Sequence, residues 1–308
     1  MTMNEKPKVG FIGLGLMGQG MAESLLREGF PLTVMAHRNR APIDALCAKG
    51  AQEATTPAGV ASRSDVVVIC VGTSEQVEEI VCGSDGLLEG ANDGLLIIDC
   101  STALPDSTRR IAATVERAGC RMVDAPLART PKEAHEGRLN VMVGGDEAAI
   151  ALARPVIEAF AENVFPVGEI GSAHTLKLIN NFLSLGAAAL TAEAATMAGK
   201  LGVDQRKLFE VCSQGGANSA MLGAVMPWVI EADDSRLRFS LGNATKDMTY
   251  LERTLAEARV QMDMLPPLRE TLSQASDDVG KESFVLQLFD ACATRNGINI
   301  QALRKRDK

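Results

Sequence analysis

Through the first half of the chain, short apolar runs alternate with stretches of helical rhythm. Lys8-Val9-Gly10-Phe11-Ile12, Pro31-Leu32-Thr33-Val34-Met35, Asp65-Val66-Val67-Val68-Ile69-Cys70-Val71 and Leu95-Leu96-Ile97-Ile98-Asp99 read as strands. They are nearly continuous in apolar residues rather than alternating, which marks strands covered on both faces. Arg121-Met122-Val123-Asp124-Ala125 and Leu139-Asn140-Val141-Met142-Val143-Gly144 extend the series, and Val164-Phe165-Pro166-Val167 offers a last strand. Helices are predicted between them over 19–27, 43–49, 75–81, 106–118 and 147–160. Such alternation predicts an α/β domain, a doubly wound and mostly parallel sheet with helices on both faces.

The pattern changes near Gly168. Residues 174–201 contain no proline and many Ala and Leu, and they predict one long helix. Its apolar length invites a membrane reading, but Lys177, Asn180, Asn181, Glu193 and Lys200 are spread along it, and ionisable groups in lipid are costly. Further helices are predicted over 204–212, 220–231, 241–258, 265–275 and 283–293. Two domains follow: a Rossmann-like doubly wound domain over 1–167 and an all-α domain over 168–308, joined by the long helix.

Chemistry enters at the first strand, which runs straight into Gly13-Leu14-Gly15-Leu16-Met17-Gly18. Gly13 lets the chain turn tightly, Gly15 leaves room for a pyrophosphate against bare backbone, and Gly18 lets the next helix pack close to the sheet. The free N–H groups and positive dipole end of that helix form an anion site without a charged side chain. Gly13, Gly15, Leu16, Met17 and Gly18 are therefore candidate cofactor residues.

An NAD-specific site would place Asp or Glu just after the second strand, for the ribose hydroxyls. The segment instead reads Ala36-His37-Arg38-Asn39-Arg40. Two guanidinium groups and an imidazole stand where a 2′-phosphate would lie, and the planar Arg fork suits phosphate. His37, Arg38, Asn39 and Arg40 join the candidate set, and NADP is the expected cofactor, with NAD as second choice. The other reading of this segment is an ordinary solvated basic loop.

Charge and cysteine content narrow the class. A net charge of −8 without a polybasic tract argues against nucleic-acid or membrane-surface partners. The first eight residues are polar and offer no signal peptide. The seven cysteines form no CxxC pair and no His/Cys cluster, so small core residues in a reducing compartment are expected, with no metal site. A cytoplasmic location is the expectation.

Several motifs now stand in one order: the glycine turn, Asp99-Cys100-Ser101-Thr102, Asp124-Ala125-Pro126, the Gly168 to Gly171 turn, Lys177-Leu178-Ile179-Asn180-Asn181 and Lys246-Asp247. In order and spacing the chain resembles the β-hydroxyacid dehydrogenases, a family that includes 3-hydroxyisobutyrate dehydrogenase, tartronate semialdehyde reductase and glyoxylate or succinic semialdehyde reductases. The resemblance covers nearly the whole chain. It implies a Rossmann-like domain, a helical domain through which subunits form a homodimer or homotetramer, and hydride transfer at an alcohol or aldehyde carbon. By the same resemblance Lys177 is the general acid and base and Asn181 its partner. Thr102 contacts the cofactor near the nicotinamide ribose, Lys246 reaches over the cofactor, and Val71, Ser101 and Phe239 line the cofactor and substrate sites.

The residues support the same chemistry. Hydride delivery to a carbonyl leaves negative charge developing on oxygen, so a proton donor is needed within hydrogen-bond reach. Lys177 lies near the start of the long helix, and Asn181 sits about one turn further along the same face. Without the resemblance, a snorkelling lysine and a helix-surface amide would explain the pair. Thr102 could equally cap a turn, and Lys246 could be a solvated helix charge.

One departure bears on the substrate. Many relatives follow Asp-Ala-Pro with a hydrophobic residue and Ser-Gly-Gly, whereas this chain has Leu127-Ala128-Arg129-Thr130-Pro131. Arg129 supplies a permanent charge and a fork suited to carboxylate, sulfonate or phosphonate oxygens. Arg129 and Thr130 are thus candidate substrate residues, partly resembling the sulfolactaldehyde reductase branch, and a small anionic substrate is expected. An ion pair from Arg129 to Glu133 or Glu136 is the structural alternative. Two other functions fit the same architecture: imine reduction, disfavoured by Lys177, and a non-catalytic nucleotide sensor. The helical domain is too short to resemble a complete phosphogluconate dehydrogenase.

Overall fold

A computed structural model describes residues 6–35 and 39–306. The chain divides into two compact units, one ending at Lys177 and one beginning at Leu178, so the border falls inside the long helix.

The first unit opens β1 (Val9–Ile12), α1 (Leu16–Arg27), β2 (Leu32–Met35), α2 (Ala41–Ala48), β3 (Gln52–Glu53), α3 (Pro57–Ala61) and β4 (Val66–Ile69). It continues through α4 (Ser74–Cys82), α5 (Leu87–Gly90), β5 (Leu96–Asp99), α6 (Pro105–Arg117), β6 (Arg121–Asp124) and β7 (Leu127–Ala128). Then come α7 (Pro131–Glu136), β8 (Leu139–Gly144), α8 (Glu147–Ile157), β9 (Ala161–Gly168) and the long α9 (Ser172–Leu201). The strands form one sheet in the order β3-β2-β1-β4-β5-β6-β8-β7, with β9 paired to β8. From β3 to β6 every pairing is parallel, whereas β8 runs antiparallel to β6 and β7.

Successive residues of the central strands feed opposite cores, as the two-residue period of a strand requires. Val66, Val68, Leu96 and Ile98 pack with Phe11, Leu25 and Phe160 on one face, and Val67, Ile69 and Ile97 pack with Ile111 and Val115 on the other. This is the double cover that the unbroken apolar runs predict.

Register sets up the functional edge. Ile12 pairs with Ile69, Ile69 with Asp99 and Asp99 with Asp124, so β1, β4, β5 and β6 end level with one another. The chain leaves the sheet along this edge, which is where ligands of open α/β sheets bind.

Local polar side chains set several helix starts. Thr73 caps α4 in a capping box with Gln76, Asp146 accepts from Ala149 N–H to start α8, and Thr130 with Glu133 forms a capping box at α7. The short α3, α5, α7, β3 and β7 carry too few residues to show a period, and the sequence pattern does not reveal them.

The second unit contains the rest of α9, then α10 (Gln205–Ser213), α11 (Ala220–Glu231), α12 (Leu241–Glu257), α13 (Leu265–Val279), α14 (Leu288–Arg295) and α15 (Ile300–Arg306). The predicted 283–293 helix starts later, at Leu288, because Phe284 bridges to Ser240 and residues 285–287 form a 3₁₀ turn. Within this unit α9 buries Leu178, Asn181, Leu185, Ala188, Ala192 and Ala195, at the spacing of one helical face. By length and composition α9 could cross a membrane, and 44% of its apolar window is buried inside the structure.

The tight exit from β1 depends on two close approaches. Gly13 has φ +102°, and a Cβ there would lie 2.1 Å from the Cys70 carbonyl oxygen, while a Cβ on Gly18 would lie 1.9 Å from the Gly13 carbonyl oxygen. Both clashes are with backbone that cannot swing aside. Gly18→Ala is expected to lower unfolding stability by about 2–3 kcal/mol, as overpacking does, in urea denaturation; an unchanged midpoint would contradict the close packing of α1 on the turn.

Candidate active site

At the glycine turn the backbone is shaped for an anion. Gly15 is the N-cap of α1, with no side-chain cap and no acidic residue in the first turn. A Cβ on Gly15 would meet no atom within 4 Å. Whereas Gly13 and Gly18 are glycine for reasons internal to the fold, space is open beside Gly15. A bare helix N-terminus with open space above it fits a dinucleotide pyrophosphate. Leu16, the first residue of α1, is 58% exposed, and Met17 packs partly against the core beneath it.

After β2, Asn39 Oδ1 accepts from Ala41 N–H at 3.1 Å and helps start α2. Arg40 makes two 2.6 Å hydrogen bonds to the Glu53 carboxylate and lies 3.2 Å from Asp44. These carboxylates hold its guanidinium above its already high range, and the guanidinium in turn keeps the Glu53 carboxyl below the usual carboxylate range. The expected phosphate ligand therefore has an acidic partner in this structure. His37 and Arg38 lie outside the described residues.

The level strand ends bring a buried polar cluster together beside the turn. Ser101 Oγ accepts from Val71 N–H at 3.0 Å, and Ser101 N–H donates to Asp99 Oδ1 at 2.9 Å. Ser101, predicted to touch substrate, is 2% exposed and ties the ends of β4 and β5 together. Thr102 follows it, partly buried, in the loop leading to α6. Burial pushes the Asp99 carboxyl above the usual carboxylate range, and neighbouring His174 and the Ser101 hydrogen bonds pull it part of the way back. Burial likewise pushes the Cys70 thiol up to about 12 and Cys100 well above the ordinary thiol range, so neither is a thiolate nucleophile at neutral pH.

α9 starts in the same cluster. Asp124 Oδ1 accepts from Gly171 N–H and Oδ2 from His174 N–H, each at 2.8 Å. The His174 ring is fully buried, with Nδ1 2.8 Å from the Thr108 hydroxyl and Nε2 3.1 Å from the Ser101 carbonyl oxygen. A carbonyl only accepts, so Nε2 carries the proton. Lys177 follows one turn later, partly buried. Asp124 stands in one of the sequence motifs and His174 at the predicted start of the long helix, but neither receives a role from the sequence alone. The signal is present in the spacing, since His174, Lys177 and Asn181 fall at i, i+3 and i+7 of one helix.

In the second unit, Asn181 is 5% exposed and its amide donates to Asp247 Oδ2 at 2.7 Å. Lys246 Nζ lies 3.0 Å from Asp247 Oδ1 and 4.8 Å from the Tyr250 ring centroid. Lys246 is thus not a solvated helix charge: its side chain is 17% exposed, held by a carboxylate and an aromatic face. Phe239, partly buried ahead of α12, accepts from Val285 N–H through its carbonyl.

The 127–130 segment departs from expectation in its partners. Arg129 pairs with Glu162 and the Arg138 carbonyl, and not with Glu133 or Glu136. Glu133 accepts instead from the Thr130 hydroxyl and N–H, with Thr130 at the N-cap position of α7. Arg129 also has φ +85°, a left-handed conformation that glycine adopts without strain. Glycine stands there in the Ser-Gly-Gly pattern, and the arginine keeps its backbone shape.

Comparison with known proteins agrees with this geometry. Residues 8–168 match the NAD binding domain of 6-phosphogluconate dehydrogenase, and residues 171–288 match the NAD-binding domain of NADP-dependent 3-hydroxyisobutyrate dehydrogenase. The chain is 32% identical to 2-(hydroxymethyl)glutarate dehydrogenase of Eubacterium barkeri, over 85% of this chain and 87% of that one. It is 30% identical to 3-sulfolactaldehyde reductase of Escherichia coli, over 87% and 89% of the two chains. The crystal structure of 3-hydroxyisobutyrate dehydrogenase from Salmonella typhimurium superimposes with a TM-score of 0.82 at 27% identity, covering 92% of this chain and 99% of that one. Imine reductases share the fold only, at 20–22% identity. The chain belongs to the β-hydroxyacid dehydrogenase family of NAD(P)-dependent oxidoreductases.

Proposed function

We propose that the protein interconverts a small anionic hydroxy compound and its aldehyde or ketone, with Lys177 as general acid and base and NADP(H) as cofactor. The observation that carries this reading is the Asn181 amide fixed on buried Asp247, one helical turn beyond a partly buried Lys177. Asn181 is buried on a carboxylate, unlike the helix-surface amide of the other reading.

The bound nicotinamide supplies or accepts the hydride. In reduction the Lys177 ammonium gives its proton to the carbonyl oxygen as the hydride reaches carbon, so that one hydride and one proton make the alcohol. In oxidation the neutral amine takes that proton back. Asn181 presents a polar group on the same helix face to orient the lysine or the substrate oxygen. The open backbone beside Gly15 takes the pyrophosphate, with Leu16, Met17, Val71, Thr102 and Lys246 as further cofactor residues.

NADP is favoured because the loop after β2 carries His37, Arg38 and Arg40 and no acidic residue at the ribose position. The substrates named for the relatives each carry a carboxylate or sulfonate beside the reacting carbon chain, which supports an anionic substrate here. Its head group is assigned to Arg129, with Thr130 and Phe239 as further substrate residues, whereas the buried Ser101 hydroxyl is taken up by the strand ends. At Arg129 the substrate competes with the Glu162 carboxylate. Leu176, Leu183, Leu190 and Met197 are exposed at seven-residue intervals on α9, which supports a homodimer or homotetramer. A cytoplasmic location is part of the same proposal.

NADPH oxidation against small aldehydes and ketones bearing carboxylate, sulfonate or phosphonate groups tests the reading. Lys177→Met is expected to lower kcat about 100-fold or more with NADPH affinity unchanged; full turnover by this variant would remove Lys177 from the chemistry. Gly15→Val is expected to leave the thermal midpoint in place and weaken NADPH binding at least tenfold, on the order of one lost contact of about 1.4 kcal/mol, and tight binding by the variant would refute the cradle. Arg129→Ala is expected to raise the KM of the anionic substrate and Glu162→Gln to lower it, and KM values unmoved in both would take the head group elsewhere.

A further inference from the structure

Polar side chains close in sequence cap most of the helices whose N-terminal donors meet a side chain. Thr56, Thr73, Asp146, Asp204, Ser219 and Ser240 each accept from a backbone N–H three residues ahead. The start of α9 is built differently. Its carboxylate comes from Asp124, 47 residues before Gly171 and 50 before His174, at the end of β6. A neighbouring side chain could satisfy the same donors, but it would leave the helix free to shift against the sheet. A carboxylate from the sheet itself fixes where the helix begins, and its charge suits the helix N-terminus.

The fit is close on every side. Gly144 is the Cα partner of Asp124, and a Cβ there would lie 2.5 Å from Asp124 Oδ1 and 3.2 Å from Ala173 N. The His174 side chain then locks the rotation of the first turn, because both ring nitrogens are engaged, one at Thr108 on α6 and one at the Ser101 carbonyl after β5. Ser101 in turn holds the Val71 N–H after β4. The first turn of α9 is therefore bolted to the ends of β4, β5 and β6 and to α6. The face it fixes is the one that carries Lys177.

We propose that Asp124 and His174 are positioning residues, which set the height and rotation of the first turn of α9 and thereby aim the Lys177 amine. The proposal rests on the reading of Lys177 as general acid and base. Neither residue reacts. Their removal acts on the chemical step through Lys177, with cofactor binding at the glycine turn left intact.

Asp124→Asn, His174→Leu, His174→Gln, Thr108→Val and Lys177→Met, each in the full chain, separate the possibilities. The readouts are kcat and KM for the anionic aldehyde turned over fastest by the native enzyme, NADPH affinity by fluorescence, and thermal unfolding. Asp124→Asn and His174→Leu are expected to lower kcat about 10- to 100-fold, the scale of a misplacement near 1 Å, with NADPH affinity within about twofold, against the tenfold that each 1.4 kcal/mol would bring. His174→Gln, whose amide can donate to the Ser101 carbonyl and accept from Thr108, is expected to recover most of the loss. Thr108→Val removes one partner with little change of shape, so it decides the question if Asp124→Asn fails to fold: kcat should fall in the same direction, by less. Undiminished kcat in folded His174→Leu and Thr108→Val overturns the proposal, as does a loss that His174→Gln does not relieve. Full turnover by Lys177→Met instead overturns the underlying reading of Lys177, and the positioning proposal with it.

Discussion

At the end of β6 a buried carboxylate accepts two backbone N–H groups from the start of the longest helix in the described chain. The rest of the site depends on that junction. α9 carries a lysine one turn beyond His174, and fixing the first turn of the helix fixes where that lysine leaves it. Removing the Asp124 carboxylate would leave two buried donors without partners, a penalty of about 1–3 kcal/mol each. The bond is therefore costly to break and suited to hold geometry.

Sheet register makes the junction possible. Because β1, β4, β5 and β6 end level, the glycine turn, the Ser101 loop and Asp124 arrive along one edge, and each does part of the work. The glycine turn offers bare N–H groups to an anion. Ser101 joins two strand ends with its hydroxyl and takes the His174 ring with its carbonyl. Asp99 stays buried next to them and accepts from the Ser101 N–H, with burial pushing its carboxyl above the usual carboxylate range.

Much of this is legible in the sequence because it follows from local rules. Unbroken apolar runs report a doubly covered sheet, and the glycine spacing after the first of them reports a turn that only glycine can make at Gly13 and Gly18. The Lys177 and Asn181 spacing reports a shared helix face. What the sequence does not show is pairing between residues far apart. Nothing local says that Arg129 meets Glu162 and not Glu133, because that choice is made when β9 lies beside β8. Arg40 looks like an unopposed phosphate ligand until β3 brings Glu53 alongside it. Asp124 reads as part of a motif, and its bonds to the α9 start, 47 and 50 residues later, exist only in the fold.

The most direct test is amide hydrogen exchange of Gly171 and His174 in the native enzyme, resolved by residue and compared with Val123 in the core of β6. With both donors held by the Asp124 carboxylate, their protection should approach that of Val123, although N-terminal helix amides ordinarily exchange quickly. Rapid exchange at both positions beside a protected Val123 would mean that the carboxylate does not hold the helix start, and the account of how this enzyme places its lysine would fail.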